Sequence, residues 1–166
     1  MKLQEAIDAC NKIDSRKIEN LCNLVRDRDE IIILGNGGSN AIASHISQDY
    51  TKKLGKKSFT FSDSSRLTCY INDYGMEVAY KQFLKEFSNQ NTLVILISSS
   101  GNSSNILKCA EFCVEKNTGF VILTGFDANN KLRSLYSTNA LEDFWIDSKD
   151  YGVVECVHQL ILHTPA

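Results

Sequence analysis

The stretch IIILGNGGSN, residues 31–40, decides the fold of this chain. Four consecutive large aliphatic side chains are typical of a strand that is buried on both faces of a parallel sheet, and a glycine-rich turn follows them. Apolar positions at helical spacing then continue over about residues 40–53. The stretch LVILISSSGNSS, residues 93–104, repeats this order before a predicted helix over about 104–116. Two such strand–loop–helix units predict an α/β fold with a mainly parallel sheet.

Further segments continue this alternation of strands and helices. They are strands at residues 58–61, 119–123 and 141–146, a short helix near Leu132, and a last helix over residues 153–163 that Pro165 ends. Residues 1–28 have apolar positions at helical spacing and predict a leading helix or helix pair, packed on the domain or on a neighbouring subunit. The length of 166 residues suits a single domain spanning 1–166.

The composition narrows the range of partners. With 18 basic and 20 acidic residues the net charge is −2. Neither nucleic acid nor a membrane surface is therefore an expected partner, and we expect the partner to be a small molecule. The six cysteines contain no C-x-x-C pair and are expected to be reduced, and the start of the chain lacks the apolar region of a signal peptide. We therefore expect a soluble cytoplasmic protein.

The two glycine- and serine-rich loops predict an anion site. A loop between a buried strand and a helix lies at the carboxyl edge of a parallel sheet, where free backbone N–H groups favour a phosphate. Five serine hydroxyls add donors, namely Ser39, Ser98, Ser99, Ser100 and Ser103. Neither loop has the lysine of a P-loop. A dinucleotide site stays an alternative, with Asp63 as its ribose-binding acid, although Asn40 stands where that motif has Gly or Ala.

A set of motifs along the chain resembles the sugar isomerase (SIS) domain family, and among its members the phosphoheptose isomerases. The matching residues are GNGGS at 35–39, His45 with an acid four residues later, Asn72-Asp73, SSSGNS at 98–103, Leu123-Thr124-Gly125, and His163 on the last helix. The resemblance implies a three-layer α/β/α sandwich with a five-stranded sheet. It also implies a homotetramer with sugar-phosphate sites at the subunit interfaces.

Positions matching the family's motifs give the expected site. Substrate contacts are expected from Asn36, Gly37, Gly38, Ser39, Asn72, Asp73 and Glu155, and phosphate contacts from Ser98, Ser99, Ser100 and Ser103. A zinc ion is expected on His45, Asp49, Glu155 and His163, with Asp49 and His163 also exchanging protons. The chain departs from the isomerases at three of these positions. Ser99 replaces a common Thr, Asp49 a Glu, and Glu155 a Gln.

Helix geometry adds a constraint on the expected metal site. Eight residues separate Glu155 from His163, roughly 12 Å along a helix axis, so one ion is not easily held by both from one chain. We therefore expect a composite site in which different subunits supply these two residues. His158, on the same helix, is expected to be a buried hydrogen-bonded residue without a catalytic role.

The sequence supports two functions. The first is a phosphosugar aldose–ketose isomerase of the phosphoheptose isomerase type, which converts sedoheptulose 7-phosphate to a heptose phosphate through an enediolate for surface polysaccharide synthesis. The second is a non-catalytic SIS protein that binds a sugar phosphate or acts as a scaffold, like the initiator-associating proteins. Retention of His45, Asp49, Glu155 and His163 favours the enzyme.

Overall fold

The computed structural model describes residues 2–166 and contains a five-stranded sheet with helices on both faces. The strands are β1 Glu30–Gly35, β2 Lys57–Thr60, β3 Thr92–Ser98, β4 Phe120–Thr124 and β5 Glu142–Trp145. Their order is β2-β1-β3-β4-β5, and every neighbouring pair is parallel. The predicted strands and the predicted parallel α/β sandwich are therefore confirmed.

Eight helices surround the sheet. They are α1 Lys2–Asn11, α2 Ser15–Arg26, α3 Gly38–Leu54, α4 Ser64–Tyr74, α5 Met76–Phe87, α6 Ser104–Lys116, α7 Lys131–Tyr136 and α8 Tyr151–His163. Helices α4 and α5 were not among the predicted elements. Helix α4 has no fully buried residue, and its apolar positions Leu67, Tyr70 and Ile71 lie only partly buried against the core. No helix within residues 2–166 combines the length and the apolar character that crossing a membrane requires.

The sheet divides the apolar core into two layers. Side chains alternate across a strand, so the continuous run in β1 fills both faces. Ile31 and Ile33 pack with residues of α2, α3 and α8, and Ile32 and Leu34 pack with residues of α5 and α6. Helix α1 packs on α8. The fully buried Tyr50 donates its hydroxyl to the carbonyl of Leu162 at 2.8 Å, which joins α3 to α8.

This topology brings the two predicted loops together. Strands β1 and β3 are neighbours in the sheet, with Gly35 paired to Ile97. The loops that follow them therefore lie side by side at the carboxyl edge. Helices α3 and α8 also contact each other, so residues along their facing sides form a continuation of that edge.

Candidate active site

A pocket of about 130 Å³ lies where the two loops meet. We call it the serine pocket, and its lining consists of Asn36, Ser39, Ile97, Ser98, Ser99, Ser100, Ser103, Tyr151 and Glu155. All five serines predicted from the sequence line it. The predicted Gly37 and Gly38 form the adjoining turn and the start of α3. Tyr151 was not predicted, because only the packing of α8 across the sheet edge brings it to the loops.

Hydrogen bonds hold the two loops in register with each other. The side-chain amides of Asn36 and Asn105 donate to each other at 2.9 and 2.8 Å. The Ser98 hydroxyl donates to that of Ser103 at 3.3 Å. The Ser99 hydroxyl oxygen is buried and has no hydrogen-bond partner within residues 2–166. Asn105 was missed by the sequence interpretation, although its place at the start of the helix after the second loop was a usable signal.

The helices that begin at the pocket lack side-chain caps. Helices α2, α4, α7 and α8 each begin with an Asp or Asn side chain that accepts a backbone N–H. Gly37 precedes α3 and Ser103 precedes α6. Neither residue accepts a backbone N–H of its helix through a side chain. The positive ends of both helices are thus directed at the pocket with donors available, which is the arrangement that binds phosphate.

Glu155 places a carboxylate at the rim of this pocket. It reaches the first turn of α3 so closely that a Cβ on Gly38 would collide with its carboxylate oxygens. Glycine at position 38 therefore makes room for Glu155. A negative charge near two helix N-termini is electrostatically favourable, but it opposes the binding of a second anion in the same place.

A second group of residues lies further along α3 and α8. The Asp49 Oδ2 atom is 3.5 Å from His163 Nδ1 and 3.9 Å from His45 Nε2, and the two imidazole rings are 5.0 Å apart in an edge arrangement. We call these three residues the histidine–carboxylate cluster. Residues 45 and 49 share one side of α3 because they are one turn apart, and the contact between α3 and α8 adds His163.

The donor atoms of this cluster fit a divalent ion. Each residue offers one donor, and the three donors all lie within 4.8 Å of one another. Zinc ligands around a tetrahedral ion are about 3.4 Å apart, and catalytic zinc sites have three protein ligands and one open position. The sequence predicted these three residues for the metal, and the fold brings them together. Glu155, the fourth predicted ligand, lies outside the cluster within one chain.

Lys53 is an additional member of this neighbourhood that the sequence interpretation missed. Its Nζ atom is 2.9 Å from the same Asp49 Oδ2 atom that faces both histidines. This hydrogen bond lowers the pKa of Asp49 below its ordinary value of 3.8, against the opposing effect of desolvation. Asp49 is therefore ionised at neutral pH. The spacing of four residues between an acid and a following lysine was the signal that could have revealed the pair.

The pocket and the cluster are separated along the same two helices. Gly38 and Glu155 are near each other at one end, and Asp49 and His163 are near each other at the other end. Eight residues from Glu155 to His163 correspond to roughly 12 Å. The two groups therefore suit a ligand that extends from an anionic end to a reacting end.

Two other predicted substrate contacts lie apart from the pocket. Asn72 and Asp73 are exposed near the end of α4, where the Asn72 amide donates to Asp73 at 3.0 Å. Neither lines the serine pocket within one chain. Asp63, the acid of the dinucleotide alternative, accepts the N–H of Arg66 at 2.8 Å and so caps α4. That role removes the main support for the dinucleotide alternative.

His158 is fully buried, as predicted, and contacts the carbonyl of Thr124 through Nε2 at 3.0 Å. Burial lowers its pKa to about 4, so its ring is neutral at pH 7.

Comparisons with known proteins show which proteins this chain is similar to. The chain is 31% identical to the phosphoheptose isomerase of Fusobacterium nucleatum over 150 residues, which cover 87% of this chain and 75% of that protein. It is 31% identical to the phosphoheptose isomerase of Cytophaga hutchinsonii over 143 residues, covering 81% and 71% of the two chains. No protein-family model matches the chain.

The fold is shared with a solved structure. Phosphoheptose isomerase GmhA from Neisseria gonorrhoeae matches with a TM-score of 0.88 at 23% identity, covering 98% of this chain and 91% of that one. At this level of identity the likeness supports the fold.

Proposed function

Because the chain belongs to the phosphoheptose isomerase family, we propose that it interconverts the ketose and aldose forms of a phosphorylated sugar, with sedoheptulose 7-phosphate as the substrate. The observation that carries this proposal is the meeting of His45, Asp49 and His163 on the flank of the same helices that begin at the serine pocket. A ligand held at one end by its phosphate would present its other end to an acid and a base.

The serine pocket would bind the phosphate group. Its hydroxyls from Ser98, Ser99, Ser100 and Ser103 and the uncapped starts of α3 and α6 supply donors for phosphate oxygens. Asn36 and Ser39 lie at the mouth of the first loop and are the proposed contacts to the sugar. This division assigns binding energy to the part of the substrate that does not react.

The histidine–carboxylate cluster would move the protons. Asp49, ionised at neutral pH, takes the proton from the carbon next to the carbonyl, and the electron pair of that C–H bond forms the enediolate double bond. The same carboxyl group then returns the proton to the neighbouring carbon. His163, which lies 3.5 Å from Asp49 and is partly exposed, exchanges the proton between the two oxygens.

A zinc ion is the proposed cofactor of this cluster, on His45, Asp49 and His163. When bound, it would polarise the substrate carbonyl. Lys53 also contacts the Asp49 carboxylate, so its ammonium charge would oppose the binding of a cation there.

We further propose that the active form is a homo-oligomer, with a homotetramer as the expected assembly. The serine pocket, at about 130 Å³, is smaller than typical ligand pockets of about 300–1,000 Å³, so one chain offers only part of a site. Helices α1 and α8 also expose a shared apolar surface, with Leu3 at 71% and Leu160 at 57% exposure. Asn72 and Asp73, which lie apart from the pocket of their own chain, would complete the site of a neighbouring subunit.

The proposed location is the cytoplasm, because a charged sugar phosphate does not cross a bilayer unaided. The heptose phosphate that the reaction forms would enter surface polysaccharide synthesis.

The test is turnover of a panel of ketose phosphates, measured for the native protein and for His163→Ala, with added zinc and after chelation. We expect conversion of sedoheptulose 7-phosphate, a loss of kcat of about 10²–10⁴-fold in His163→Ala, and recovery of the chelated native protein by zinc. Equal rates in both proteins would contradict the proton-transfer roles. Binding of sugar phosphate without turnover in any condition would favour the non-catalytic alternative.

A further inference from the structure

Three buried polar atoms that have no hydrogen-bond partner within residues 2–166 lie on the elements that meet beneath the serine pocket. They are Ser99 Oγ, Thr124 Oγ1 and His158 Nδ1. Ser99 follows β3, Thr124 is the last residue of β4, and His158 is in the middle of α8. Buried polar groups usually find a hydrogen-bond partner, so each of these three atoms calls for an explanation.

His158 makes one defined contact in this region. A carbonyl oxygen only accepts hydrogen bonds, so the 3.0 Å contact to Thr124 requires that Nε2 carries the hydrogen. The ring is neutral at pH 7 because burial lowers its pKa, which leaves Nδ1 as a bare acceptor. The Thr124 carbonyl also accepts the N–H of Ile146 at 2.9 Å. His158 thus joins α8 to the end of β4 at a point where β5 is also attached.

The end of β4 is in turn attached to the loop that forms the pocket. Thr124 pairs with Ser98 across the sheet, and the N–H of Gly125 donates to the carbonyl of Ser99 at 2.9 Å. A Cβ at Gly125 would approach a side-chain methyl of Val154 on α8 to 2.7 Å, so the strand end packs closely against this side chain of the helix. A displacement of α8 at this point is therefore transmitted to the backbone that carries Ser99.

Helix α8 also carries two side chains of the proposed site. Glu155 lies one turn before His158 and lines the pocket, and His163 lies five residues after it in the histidine–carboxylate cluster. We propose that His158 is a positioning residue, whose Nε2–H bond to Thr124 holds α8 in a fixed place relative to the serine loop. This inference rests on the proposed function, because it takes the serine pocket to be the phosphate site.

Packing alone does not explain a histidine at this position. A leucine would fill the same buried position without leaving a bare ring nitrogen. The directional bond to Thr124 is what an aliphatic side chain lacks. The group that a substitution at position 158 must retain is thus the Nε2 donor. Glutamine is the substitution that can keep a donor near that place.

The experiment measures inorganic phosphate binding by calorimetry and the kinetics with the ketose phosphate for four proteins. They are the native protein, His158→Leu, His158→Gln and the matched control Val157→Ala, which alters a buried residue of the same helix. We expect His158→Leu to weaken phosphate binding roughly tenfold and to raise KM. A tenfold loss of affinity corresponds to the net contribution of one buried hydrogen bond. His158→Gln should restore most of this loss, and Val157→Ala should lower Tm without changing phosphate affinity.

Native affinity for phosphate in His158→Leu, with only a lower Tm, would overturn the inference and leave His158 a packing residue. Absence of phosphate binding to the native protein would instead reject the phosphate site itself. If His158→Leu does not fold, the ring nitrogens of His158 are followed by NMR in the native protein during phosphate titration. We expect Nε2 to be protonated, Nδ1 to be bare, and both signals to shift on saturation, and unchanged signals would overturn the inference.

Discussion

The serine pocket and the histidine–carboxylate cluster lie at two ends of the same helix pair, yet they consist of different kinds of chemical group. The pocket consists of backbone N–H groups and hydroxyls on short loops that the sheet holds in place. The cluster consists of titratable side chains on helix flanks, and His45 is about half exposed. Donors held by the backbone follow directly from the fold, whereas the chemistry at the other end depends on three replaceable side chains.

The two regions also treat charge differently. The pocket has the positive ends of α3 and α6, and within residues 2–166 no lysine, arginine or histidine forms a salt bridge with its carboxylate, Glu155. The cluster compensates its carboxylate locally, since Lys53 contacts Asp49 at 2.9 Å. We therefore expect substitutions in the pocket to change ligand affinity and substitutions beside the cluster to change proton affinity. The following predictions are ordered from the largest expected effect to the smallest.

The largest effect is expected from Gly101→Ala, which breaks the pocket while leaving the cluster in place. Gly101 has a φ of +64°, and a Cβ there would collide with the side chain of Asn130. Strain and collision together should lower the free energy of unfolding by about 2–4 kcal/mol and weaken phosphate binding by more than tenfold. Chemical denaturation and phosphate calorimetry measure the two effects.

Gly55→Ala is the matched control for this prediction. Gly55 has a similar φ of +68°, but the space around its missing Cβ is open. It should lose only the strain component, about 1–2 kcal/mol, with phosphate affinity unchanged. Equal losses of affinity in both variants would contradict a specific role of the second loop.

A smaller effect of opposite sign is expected from Glu155→Gln, which removes the negative charge from the pocket. Phosphate binding should tighten by roughly three- to tenfold, because the anion no longer meets a carboxylate beside the start of α3. The gain should shrink as the salt concentration rises. Glu19→Gln, an exposed substitution on α2, is the control and should leave the affinity unchanged. Weaker phosphate binding in Glu155→Gln would show that Glu155 supports the ligand.

The smallest effect is expected from Lys53→Gln, which removes the cation beside Asp49 in the cluster. The pKa of Asp49 should rise, because the ammonium hydrogen bond that lowers it is lost. The carboxyl signal of Asp49 in an NMR titration of metal-free protein measures this change. Lys52→Gln, on the exposed side of the same helix, should leave it in place.

The sign of the stability effect follows from the same shift. A lowered native pKa means that Asp49 contributes stability above its unfolded value of about 3.8, and that this contribution is lost as the pH falls through the native pKa. Lys53→Gln should therefore reduce the stability difference between neutral and strongly acidic pH. An unchanged acid denaturation profile, together with an unchanged Asp49 titration, would contradict the role given to Lys53.

Much of the fold was predictable because its signals are local. Continuous apolar runs such as Ile31–Leu34 indicate strands buried on both faces, and the serine- and glycine-rich turns after them indicate strand–loop–helix units. Helices α4 and α5 were not predicted, although both carry apolar residues at helical spacing. Leu67, Tyr70 and Ile71 of α4 pack partly buried on the core, and α5 buries Tyr80, Phe83 and Leu84, so the signal was present in both.

The site was predictable in part. His45 and Asp49 share a helix face by spacing alone, whereas their distance to His163 depends on how α8 packs on α3. The Asn36–Asn105 amide pair joins residues 69 positions apart, and Tyr151 enters the pocket from the last helix. No local pattern reports contacts of this kind.

The sequence by itself determined the parallel α/β class and the hydroxyl-rich loops, because these depend on residue type and short-range periodicity, while the acid, base and metal-ligand candidates followed from the resemblance to the phosphoheptose isomerases. Only the tertiary structure decided that Glu155 faces the serine pocket and not the cluster, that Lys53 and His163 share one oxygen of Asp49, and that His158 joins α8 to the end of β4. The physical reason is that these contacts are set by the packing of α3 and α8 across the sheet edge, where shifting a helix by one turn would change every partner.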